Sequence, residues 1–458
     1  MKKKIAIILP TQYDARRRPV YARRASANYN YTLPLLAALT PKDFDVEIIY
    51  ERLEGVNFDA PYALAAITSI TNTVSRAYDL ADEFRKRGTP VALGGYHVSA
   101  LPEEAAPHAD AVVIGEAEPV WEALIDDVRH GTIQPVYRSD RFTRMEQLPV
   151  PRYDLMKQHL FYSEVYPVEA TRGCPCRCEY CSVTGFYGAK FRHRPVEEVL
   201  EHIDATGSRF ISFVDDNIIS DRRYALELFR AMKSRNIRFV AQSTLDLADD
   251  DDLLTAACDA GLRFVWCGVE SLSRPVLEEA GRRVNRDVET FERRVRRLRS
   301  RGIVVASFFM VGFDNDTAET YAEIEDFVMR NRIVPGMNLI TPFPGTEFWN
   351  KAEAAGRIMH RDWWRYTGYE TVYKPLNMTV EEQNTLYRTL LCRLFSPRAN
   401  VRRFAAAAVG GIAEGKFLHP PGRVRLQYER LAHRARGRPR FLVTGRRRGD
   451  AFGPSLYF

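Results

Sequence analysis

Short apolar segments alternate with longer amphipathic segments over most of this 458-residue sequence. The apolar segments have the length and composition of buried β-strands, whereas the amphipathic segments repeat their apolar residues at the spacing of an α-helix. Strands that alternate with helices in this way form a parallel sheet, because each helix carries the chain back to the edge where the next strand begins. The alternation therefore predicts an α/β fold.

The alternation forms two separate series, which predict two α/β domains. Residues 1–135 contain the strand segments KIAIILP, DVEIIYE, YALAAITSIT, PVALGG and AVVIG, and we expect a doubly wound, Rossmann-like domain. Residues 136–165 show the low periodicity of a linker. Residues 166–350 contain six further strand segments, from VEATRG to MNLITPFPG, which predict a partial (β/α)6 TIM-type barrel. Residues 351–458 are predicted to form a mostly helical, basic C-terminal region.

Hydropathy and cysteine usage indicate the cellular compartment. No apolar run reaches the roughly 20 residues that a transmembrane helix needs. The N-terminal MKKKIAIILP ends its apolar run at Pro10 without a small-residue cleavage site, so it predicts a strand and not a signal peptide. The seven cysteines are odd in number and four are clustered, which favours a metal site in a reducing, cytoplasmic setting over a disulfide framework.

The net charge of +7 is concentrated at the C-terminus. Residues 401–458 contain twelve Arg and one Lys against three acidic residues, a balance of +10, so the other 400 residues sum to about −3. We therefore expect no nucleic acid partner for the body of the protein. The basic run at 423–449 is compatible with peripheral contact to an anionic membrane, with an anionic substrate or partner, and equally with a solvated tail.

Four cysteines lie within eight residues, in the segment ATRGCPCRCEYC that begins at the first predicted barrel strand. Cys174, Cys178 and Cys181 have the spacing C-x3-C-x2-C, and three thiolates from one short loop can hold three irons of a [4Fe–4S] cube. The alternative is a zinc ion held by all four thiolates, but this tight alternation fits paired C-x2-C zinc ligands poorly. We interpret Cys176 as a bystander thiol, with a redox or alternative ligand role as the second hypothesis.

With Tyr180 before the last cysteine, the segment resembles the C-x3-C-x-aromatic-C motif of the radical S-adenosylmethionine (SAM) superfamily. The resemblance implies that Cys174, Cys178 and Cys181 ligate the cluster and that the fourth iron binds SAM. It also implies reductive cleavage of SAM to a 5′-deoxyadenosyl radical, which abstracts hydrogen from the substrate. Electrons would come from an external flavodoxin- or ferredoxin-like donor.

The ends of the later barrel strands match the same superfamily in FVDDN, RFVAQST, GVES and VGFDNDT. The resemblance implies SAM contacts from these ends and from the aromatic residue of the cysteine motif, namely Tyr180, Asp215, Asp216, Gln242, Ser243, Glu270, Ser271 and Gly312. Asp215 and Asp216 have an alternative interpretation as a helix N-cap, because Ser220 and Asp221 follow closely. The segment TPFPGTEFW at the sixth strand is typical of one subgroup of these enzymes.

Residues 1–135 resemble the cobalamin-binding domain that precedes the barrel in that subgroup, through SITNT, GGYHVSALPEE and GEAEPVWE. These segments follow successive strands, where a parallel sheet binds its ligands, although each alone could be an ordinary turn. The resemblance implies cobalamin contacts from Ser69, Thr71, Asn72, Thr73, Gly94, Gly95, His97, Gly115 and Glu116. No D-x-H-x-x-G motif is present, so we expect no histidine as the lower axial ligand of cobalt.

The resemblance predicts an enzyme that uses a [4Fe–4S] cluster, SAM and cobalamin to methylate an unactivated carbon of a small-molecule substrate. A cobalamin-assisted radical cyclisation or oxidation without methyl transfer is the alternative within the subgroup. A non-catalytic cobalamin or iron–sulfur sensor is the alternative outside it. The aromatic segment WWRYTGYETVY at 363–373 could line a hydrophobic substrate pocket or belong to the core.

Overall fold

The architecture is that of a computed structural model, which describes residues 2–25, 30–146, 148–281 and 288–400. The predicted helical, basic C-terminal region is described only as far as Asn400. The basic run at 423–449, with its membrane hypothesis, lies outside the described residues. In the part of the chain that is described, no helix is both long enough and apolar enough to cross a lipid bilayer.

The N-terminal half contains a six-stranded parallel sheet with strand order β2-β1-β3-β4-β5-β6. Its strands are β1 (Lys3–Leu9), β2 (Phe44–Tyr50), β3 (Tyr62–Thr68), β4 (Val91–Gly94), β5 (Ala111–Ile114) and β6 (Val136–Arg138). Its helices are α1 (Thr32–Leu39), α2 (Glu51–Glu54), α3 (Thr71–Lys86), α4 (Tyr96–Ala100), α5 (Pro102–Ala105) and α6 (Glu118–His130). The first strand lies inside the sheet, with β2 on one side of it and β3 to β6 on the other, which confirms the doubly wound prediction.

The second half contains another six-stranded parallel sheet, with order β7-β10-β11-β12-β13-β14. Its strands, with the short pair β8 and β9, are β7 (Tyr166–Val168), β8 (Thr171–Arg172), β9 (Arg192–His193), β10 (Phe210–Phe213), β11 (Arg238–Ser243), β12 (Leu262–Glu270), β13 (Val304–Val311) and β14 (Val334–Leu339). Its helices are α7 (Ser182–Tyr187), α8 (Val196–Ala205), α9 (Arg222–Met232), α10 (Asp251–Ala260), α11 (Arg274–Glu279), α12 (Phe291–Ser300), α13 (Ala318–Asn331), α14 (Glu347–Ala354) and α15 (Val380–Leu394). Apart from the separate β8–β9 pair, strands that follow one another in the chain are neighbours in the sheet, which confirms the predicted partial (β/α)6 barrel.

Two local features differ from the pattern in the sequence. Strand β6 joins the first sheet from inside the predicted linker at 136–165, and it is missed because three residues give no periodicity. Strands β8 and β9 pair antiparallel, with Thr171 opposite His193 and Arg172 opposite Arg192, and they flank the cysteine segment. The predicted domain boundaries stay predictions, but the cysteine loop has a hairpin base that the sequence pattern does not reveal.

The chain beyond the barrel strands returns to the N-terminal domain. Trp349 of α14, Trp363 and Tyr366 pack in the same buried cluster as residues of α3, and Trp363 is only 4% exposed. The Trp363 indole also donates a hydrogen bond of 2.7 Å to Glu104. Trp363 therefore belongs to the core, and of the segment 363–373 only later residues such as Tyr369 line the cavity described next.

Candidate active site

A single cavity of about 880 Å³ lies where the carboxyl ends of the two parallel sheets meet. On one side it is lined by residues that follow β3, β4 and β5, and on the other by residues that end β10, β11, β12 and β14. The carboxyl edge is the ligand-binding edge of a parallel α/β sheet, because loops and helix N-termini converge there. Both domains therefore contribute their binding edges to one site.

The cysteine loop forms part of this cavity. Cys174, Cys176, Cys178 and Cys181 all line it, between the β8–β9 base and helix α7. A hydrogen bond with Cys176, together with burial, raises the pKa of the Cys174 thiol above its ordinary value. Among the described residues, no group of three or more His, Cys, Asp or Glu side chains is placed so that it could hold one metal ion. A [4Fe–4S] cube does not require such an arrangement, since each thiolate binds a different iron.

The two adjacent acids after β10 have different environments. Asp216 lines the cavity, whereas the Asp215 carboxylate is turned into the protein, 1% exposed. It accepts a hydrogen bond of 2.6 Å from the Thr171 hydroxyl and others from the Ala170 amide. Burial raises the pKa of both acids to about 7. Asp215 therefore holds the strand that leads into the cysteine loop, and of the two predicted SAM contacts only Asp216 lines the cavity.

The alternative N-cap interpretation of this acid pair is wrong, because α9 is capped by Asp221. The Asp221 carboxylate accepts a hydrogen bond of 2.9 Å from the Tyr224 amide, the position that an N-cap side chain occupies. Asp216 does not cap α9, and it lines the cavity.

Of the remaining predicted SAM contacts in the barrel, some line the cavity and others do not. Tyr180, Gln242, Ser243 and Glu270 line the cavity, whereas Ser271 and Gly312 do not. The Ser271 hydroxyl is fully buried and accepts a hydrogen bond from the Ser273 amide.

The backbone of Gly312 makes hydrogen bonds within the protein. Its amide donates a hydrogen bond of 2.6 Å to the Asp316 carboxylate, and its carbonyl accepts a hydrogen bond from the Tyr373 hydroxyl. A Cβ at this position would lie 2.6 Å from the side chain of Gln383. The predicted SAM contacts from Ser271 and Gly312 stay predictions, and the structure shows protein groups packed around both residues.

Glu270 has an unusual backbone that brings it to the cavity. Its φ of +66° is in the left-handed region, which is rare for a residue with a Cβ, and the register between β12 and β13 shifts next to it. Such strained positions occur preferentially at functional sites. The Glu270 side chain is nearly buried yet lines the cavity, so the strain places an acid where a ligand can meet it.

The N-terminal edge of the cavity contains unsatisfied polar atoms. Ser69, Thr71, Asn72, Gly94, Gly95, Gly115 and Glu116 line it. Ser69 Oγ and Asn72 Oδ1 are buried and have no hydrogen-bond partner among the residues that the structure describes. Gly95 has φ of +101°, and a Cβ there would collide with the Ser69 backbone, so the chain needs glycine to close this edge. Buried orphan acceptors are costly unless a ligand satisfies them.

His97 and Thr73 do not reach this edge. His97 is fully buried, with Nδ1 3.2 Å from the Thr71 hydroxyl and Nε2 3.4 Å from Glu104, and its ring contacts Trp363 edge to face. At the start of α3, the Thr73 hydroxyl donates a hydrogen bond to the Ile70 carbonyl and accepts one from the Ile70 amide. Both side chains therefore have partners within the protein, and the predicted cobalamin contacts from His97 and Thr73 stay predictions.

A network of buried ion pairs joins the two domains beside the cysteine loop. Arg172, in β8, lies 2.5 Å from Glu118 and 2.7 Å from Glu169. Arg192, in β9, lies 2.6 Å from Glu116, which also accepts a hydrogen bond from the Thr143 amide. The resemblance gives no role to Arg172, Arg192 or Glu118, and the sequence signal for Arg172 is its place two residues before Cys174. The predicted cofactor residue Glu116 is thus mainly a partner of arginines.

The barrel interior forms an aromatic wall of the same cavity. Trp266 of β12 stacks on Phe308 of β13 with ring centroids 4.8 Å apart and planes 17° apart, and Phe264 lies 5.1 Å from Trp266. Phe308 lies over Gly336, where a Cβ would be 2.5 Å from the ring. These side chains alternate along their strands, so they point into the barrel as a set. Sequence analysis placed the strands but did not single out this wall.

Comparison with known proteins gives two family matches. The family described as "Radical SAM superfamily" matches residues 168–328, and the family described as "B12 binding domain" matches residues 35–125. The bacteriochlorophyllide d C-12(1)-methyltransferase of Chlorobaculum tepidum is 32% identical over 398 residues, 84% of this chain and 87% of that protein. The bacteriochlorophyllide d C-8(2)-methyltransferase of the same organism is 30% identical over 399 residues, 81% of this chain and 88% of that protein.

Solved structures show the same fold at low sequence identity. The radical SAM methyltransferase TsrM from Kitasatospora setae, with cobalamin and a [4Fe-4S] cluster bound, superimposes with a TM-score of 0.67 at 17% identity, covering 95% of this chain and 99% of TsrM. The cobalamin-dependent radical enzyme OxsB superimposes with a TM-score of 0.64 at 13% identity, covering 94% of this chain and 76% of OxsB. The arrangement of the two sheets is thus shared with both.

Proposed function

Because the chain belongs to the family of cobalamin-dependent radical SAM methyltransferases, we propose that it methylates a carbon atom of a large, mainly apolar small molecule bound inside its barrel. Its cofactors are those of the family, a [4Fe–4S] cluster, SAM and cobalamin. The observation that carries the proposal is one continuous cavity, lined both by the cysteine loop and by the carboxyl edge of the first sheet. A methyl donor bound at one edge would then face a substrate bound at the other.

The residues present fit these cofactors. Cys174, Cys178 and Cys181 supply thiolates of the required spacing from one loop on the cavity wall. The orphan acceptors Ser69 Oγ and Asn72 Oδ1 lie on the opposite wall, where a large polar ligand such as cobalamin would satisfy them. When bound, the three groups supply an electron, a radical that removes hydrogen, and a methyl group.

The chain's own residues have binding and positioning roles in this proposal. Asp216, Gln242, Ser243 and Glu270 line the cavity next to the cysteines and would hold the amino, carboxylate and ribose groups of SAM. Tyr180 packs its ring edge to face on Phe313, 6.3 Å between centroids, which fixes the last turn of the loop. The apolar barrel wall excludes water, which protects reactive intermediates from side reactions.

A tetrapyrrole is the first substrate to test. Two methyltransferases that are 32% and 30% identical over 84% and 81% of this chain are named for bacteriochlorophyllide d, a flat and mostly apolar macrocycle. The stacked rings of Trp266 and Phe308 offer an aromatic face of the kind that binds flat ligands. Electrons would come from an external flavodoxin- or ferredoxin-like donor. Thiol ligation of the cluster requires reduced cysteines, so we place the protein in a reducing, cytoplasmic setting.

The test is anaerobic reconstitution with iron, sulfide and cobalamin, followed by mass spectrometry after addition of SAM, a strong reductant and a bacteriochlorophyllide. We expect 5′-deoxyadenosine, S-adenosylhomocysteine and a product heavier by one methylene unit. Cys178→Ala should form none of the three, whereas Trp266→Ala should still cleave SAM and should lose the methylated product. Substrate-dependent 5′-deoxyadenosine without any methylated product would contradict methyl transfer and favour cyclisation or oxidation.

A further inference from the structure

We propose that Arg299 and Arg332 bind a carboxylate on the substrate, at the end of the barrel opposite the cysteine loop. The inference deepens the proposed function and rests on it, since it defines the substrate as amphipathic: an apolar body with an anionic end. Both arginines line the same cavity as the four cysteines of the loop. Arg299 is half-buried at the end of α12 and Arg332 follows α13 directly.

The first argument is that these arginines lack the counter-ions that their neighbours have. Four other arginines of α12 each lie within 4 Å of a carboxylate: Arg293 with Asp249 at 2.9 Å, Arg294 with Asp249 at 2.6 Å, Arg296 with Glu292 at 3.8 Å, and Arg297 with Asp251. Arg330 of α13 likewise pairs with Asp326 at 2.9 Å. Among the residues that the structure describes, Arg299 and Arg332 form no ion pair. Arg299 and Arg332 thus differ from these five paired arginines of the same two helices.

The second argument is that Arg299 is bonded to the chain segment that carries Arg332. Arg299 donates a hydrogen bond of 2.9 Å to the carbonyl of Asn331, the residue before Arg332. Burial, and secondly the positive charge of Arg332, lower the pKa of Arg299 from its ordinary value. Two like charges held together without a counter-ion repel each other, and an anion between them removes this cost. Guanidinium groups also match the planar, two-oxygen geometry of a carboxylate.

The third argument concerns position along the barrel. Arg299 and Arg332 precede the amino ends of β13 and β14, whereas the cysteine loop lies at the carboxyl ends of the barrel strands. The eight residues of β13 span roughly 23 Å at about 3.3 Å per step. This length accommodates SAM next to the cluster and one macrocycle beyond it. A carboxylate at the far edge of that macrocycle would reach the arginines.

The wall between the two ends is apolar, as an amphipathic ligand requires. Trp266 and Phe308 stack midway along their strands, and Ile303, Val304 and Val334 lie nearer the arginines. A ligand that is apolar over most of its length and charged at one end matches this sequence of surfaces. The arginine pair would therefore set the direction in which the substrate enters and which carbon faces the cofactors.

The experiment compares bacteriochlorophyllide d, which carries a free carboxylic acid, with its methyl ester. Equilibrium binding of each compound to the reconstituted protein without SAM is measured by the ligand's absorbance. Wild-type protein is compared with Arg299→Gln, Arg332→Gln and the conservative Arg299→Lys. Arg297→Gln is the matched control, because Arg297 lies on the same helix, is paired with Asp251 and does not line the cavity.

We expect Arg299→Gln or Arg332→Gln to weaken binding of the acid by about 10- to 100-fold, the range of a lost charge-assisted hydrogen bond, and to leave the ester unchanged. Arg299→Lys should recover part of the loss, and Arg297→Gln should bind like wild type. Equal binding of acid and ester by wild-type protein overturns the proposal, as does failure of the acid to bind. If the acid binds through the arginines but the reconstituted wild-type protein makes no methylated product, the anion site stands and the proposed function fails.

Discussion

Replacing Glu116 by glutamine tests whether this residue holds the two domains together or contacts a cofactor. The Glu116 carboxylate lies 2.6 Å from Arg192, accepts a hydrogen bond from the Thr143 amide and is 3.8 Å from Arg172. Its side chain is almost completely buried. Burial alone would raise the pKa of Glu116, but hydrogen bonds from Arg192 and the charge of Arg172 hold it below the ordinary value. The carboxylate is therefore ionised and stabilising at neutral pH.

The expected effect follows from the burial of the pair. Removing one member of a buried ion pair costs about 3–5 kcal/mol, because the other charge stays buried without compensation. Glutamine keeps one oxygen acceptor for Arg192, so we expect the lower end, about 3 kcal/mol. A domain of about 150–250 residues loses roughly 2–4 °C in Tm per kcal/mol, which gives a decrease of about 6–12 °C.

The measurement is thermal unfolding of the protein without added cofactors, for wild type, Glu116→Gln and Glu83→Gln. Glu83 pairs with Arg87 on an exposed helix surface, and its replacement should leave Tm unchanged, since solvent screens such pairs. The pH dependence gives a second readout. A carboxyl with a lowered folded-state pKa contributes stability above its unfolded pKa and loses it as pH falls through the folded value. The difference in Tm between wild type and Glu116→Gln should therefore disappear at acidic pH.

One result would refute this reasoning. If Glu116→Gln has the Tm of wild type in cofactor-free protein but binds cobalamin more weakly, Glu116 is a cofactor contact and the ion pairs contribute nothing measurable. An equal decrease for Glu83→Gln would show that the assay does not separate buried from exposed pairs.

Three further predictions concern single side chains. Cys176→Ala should retain the iron content of wild type after reconstitution, whereas Cys178→Ala should lose it; loss in both would make Cys176 a ligand. Burial raises the pKa of Asp316 to about 7, so stability should fall as pH rises from about 4 to about 7. Asp316→Asn should weaken this dependence in urea unfolding, and the remainder should come from Asp215 and Asp216. Gly336→Ala should destabilise the barrel by about 1–3 kcal/mol, because its Cβ would lie 2.5 Å from Phe308, and an unchanged urea midpoint would contradict the packing.

The architecture could be predicted because its signals are local. Strands β10 to β13 are apolar runs of four to nine residues, long enough to show strand composition, and helices follow them at regular intervals. The short strands β6, β8 and β9 have two or three residues each and carry no such signal. Their positions depend on pairing partners elsewhere in the chain, which no sequence window contains.

The site could be predicted only to the level of strand ends. The sequence places both Asp215 and Asp216 after a strand, but a one-residue step reverses the direction of the side chain, so one acid faces the cavity and the other holds Thr171. His97 was assigned to cobalamin from its place in GGYH, yet its partners are Thr71 and Glu104. These distinctions depend on the tertiary environment and not on the motif.

The ion pairs between Glu116, Glu118, Arg172 and Arg192 also bear on how such enzymes can be recombined. A chimaera that joins the cobalamin-binding half of one relative to the barrel of another would bring together two charge sets that are matched only within each parent. A mismatch would leave a buried arginine or carboxylate without its partner, two residues from the first cysteine. Successful domain exchange should therefore require transferring these four positions as one unit.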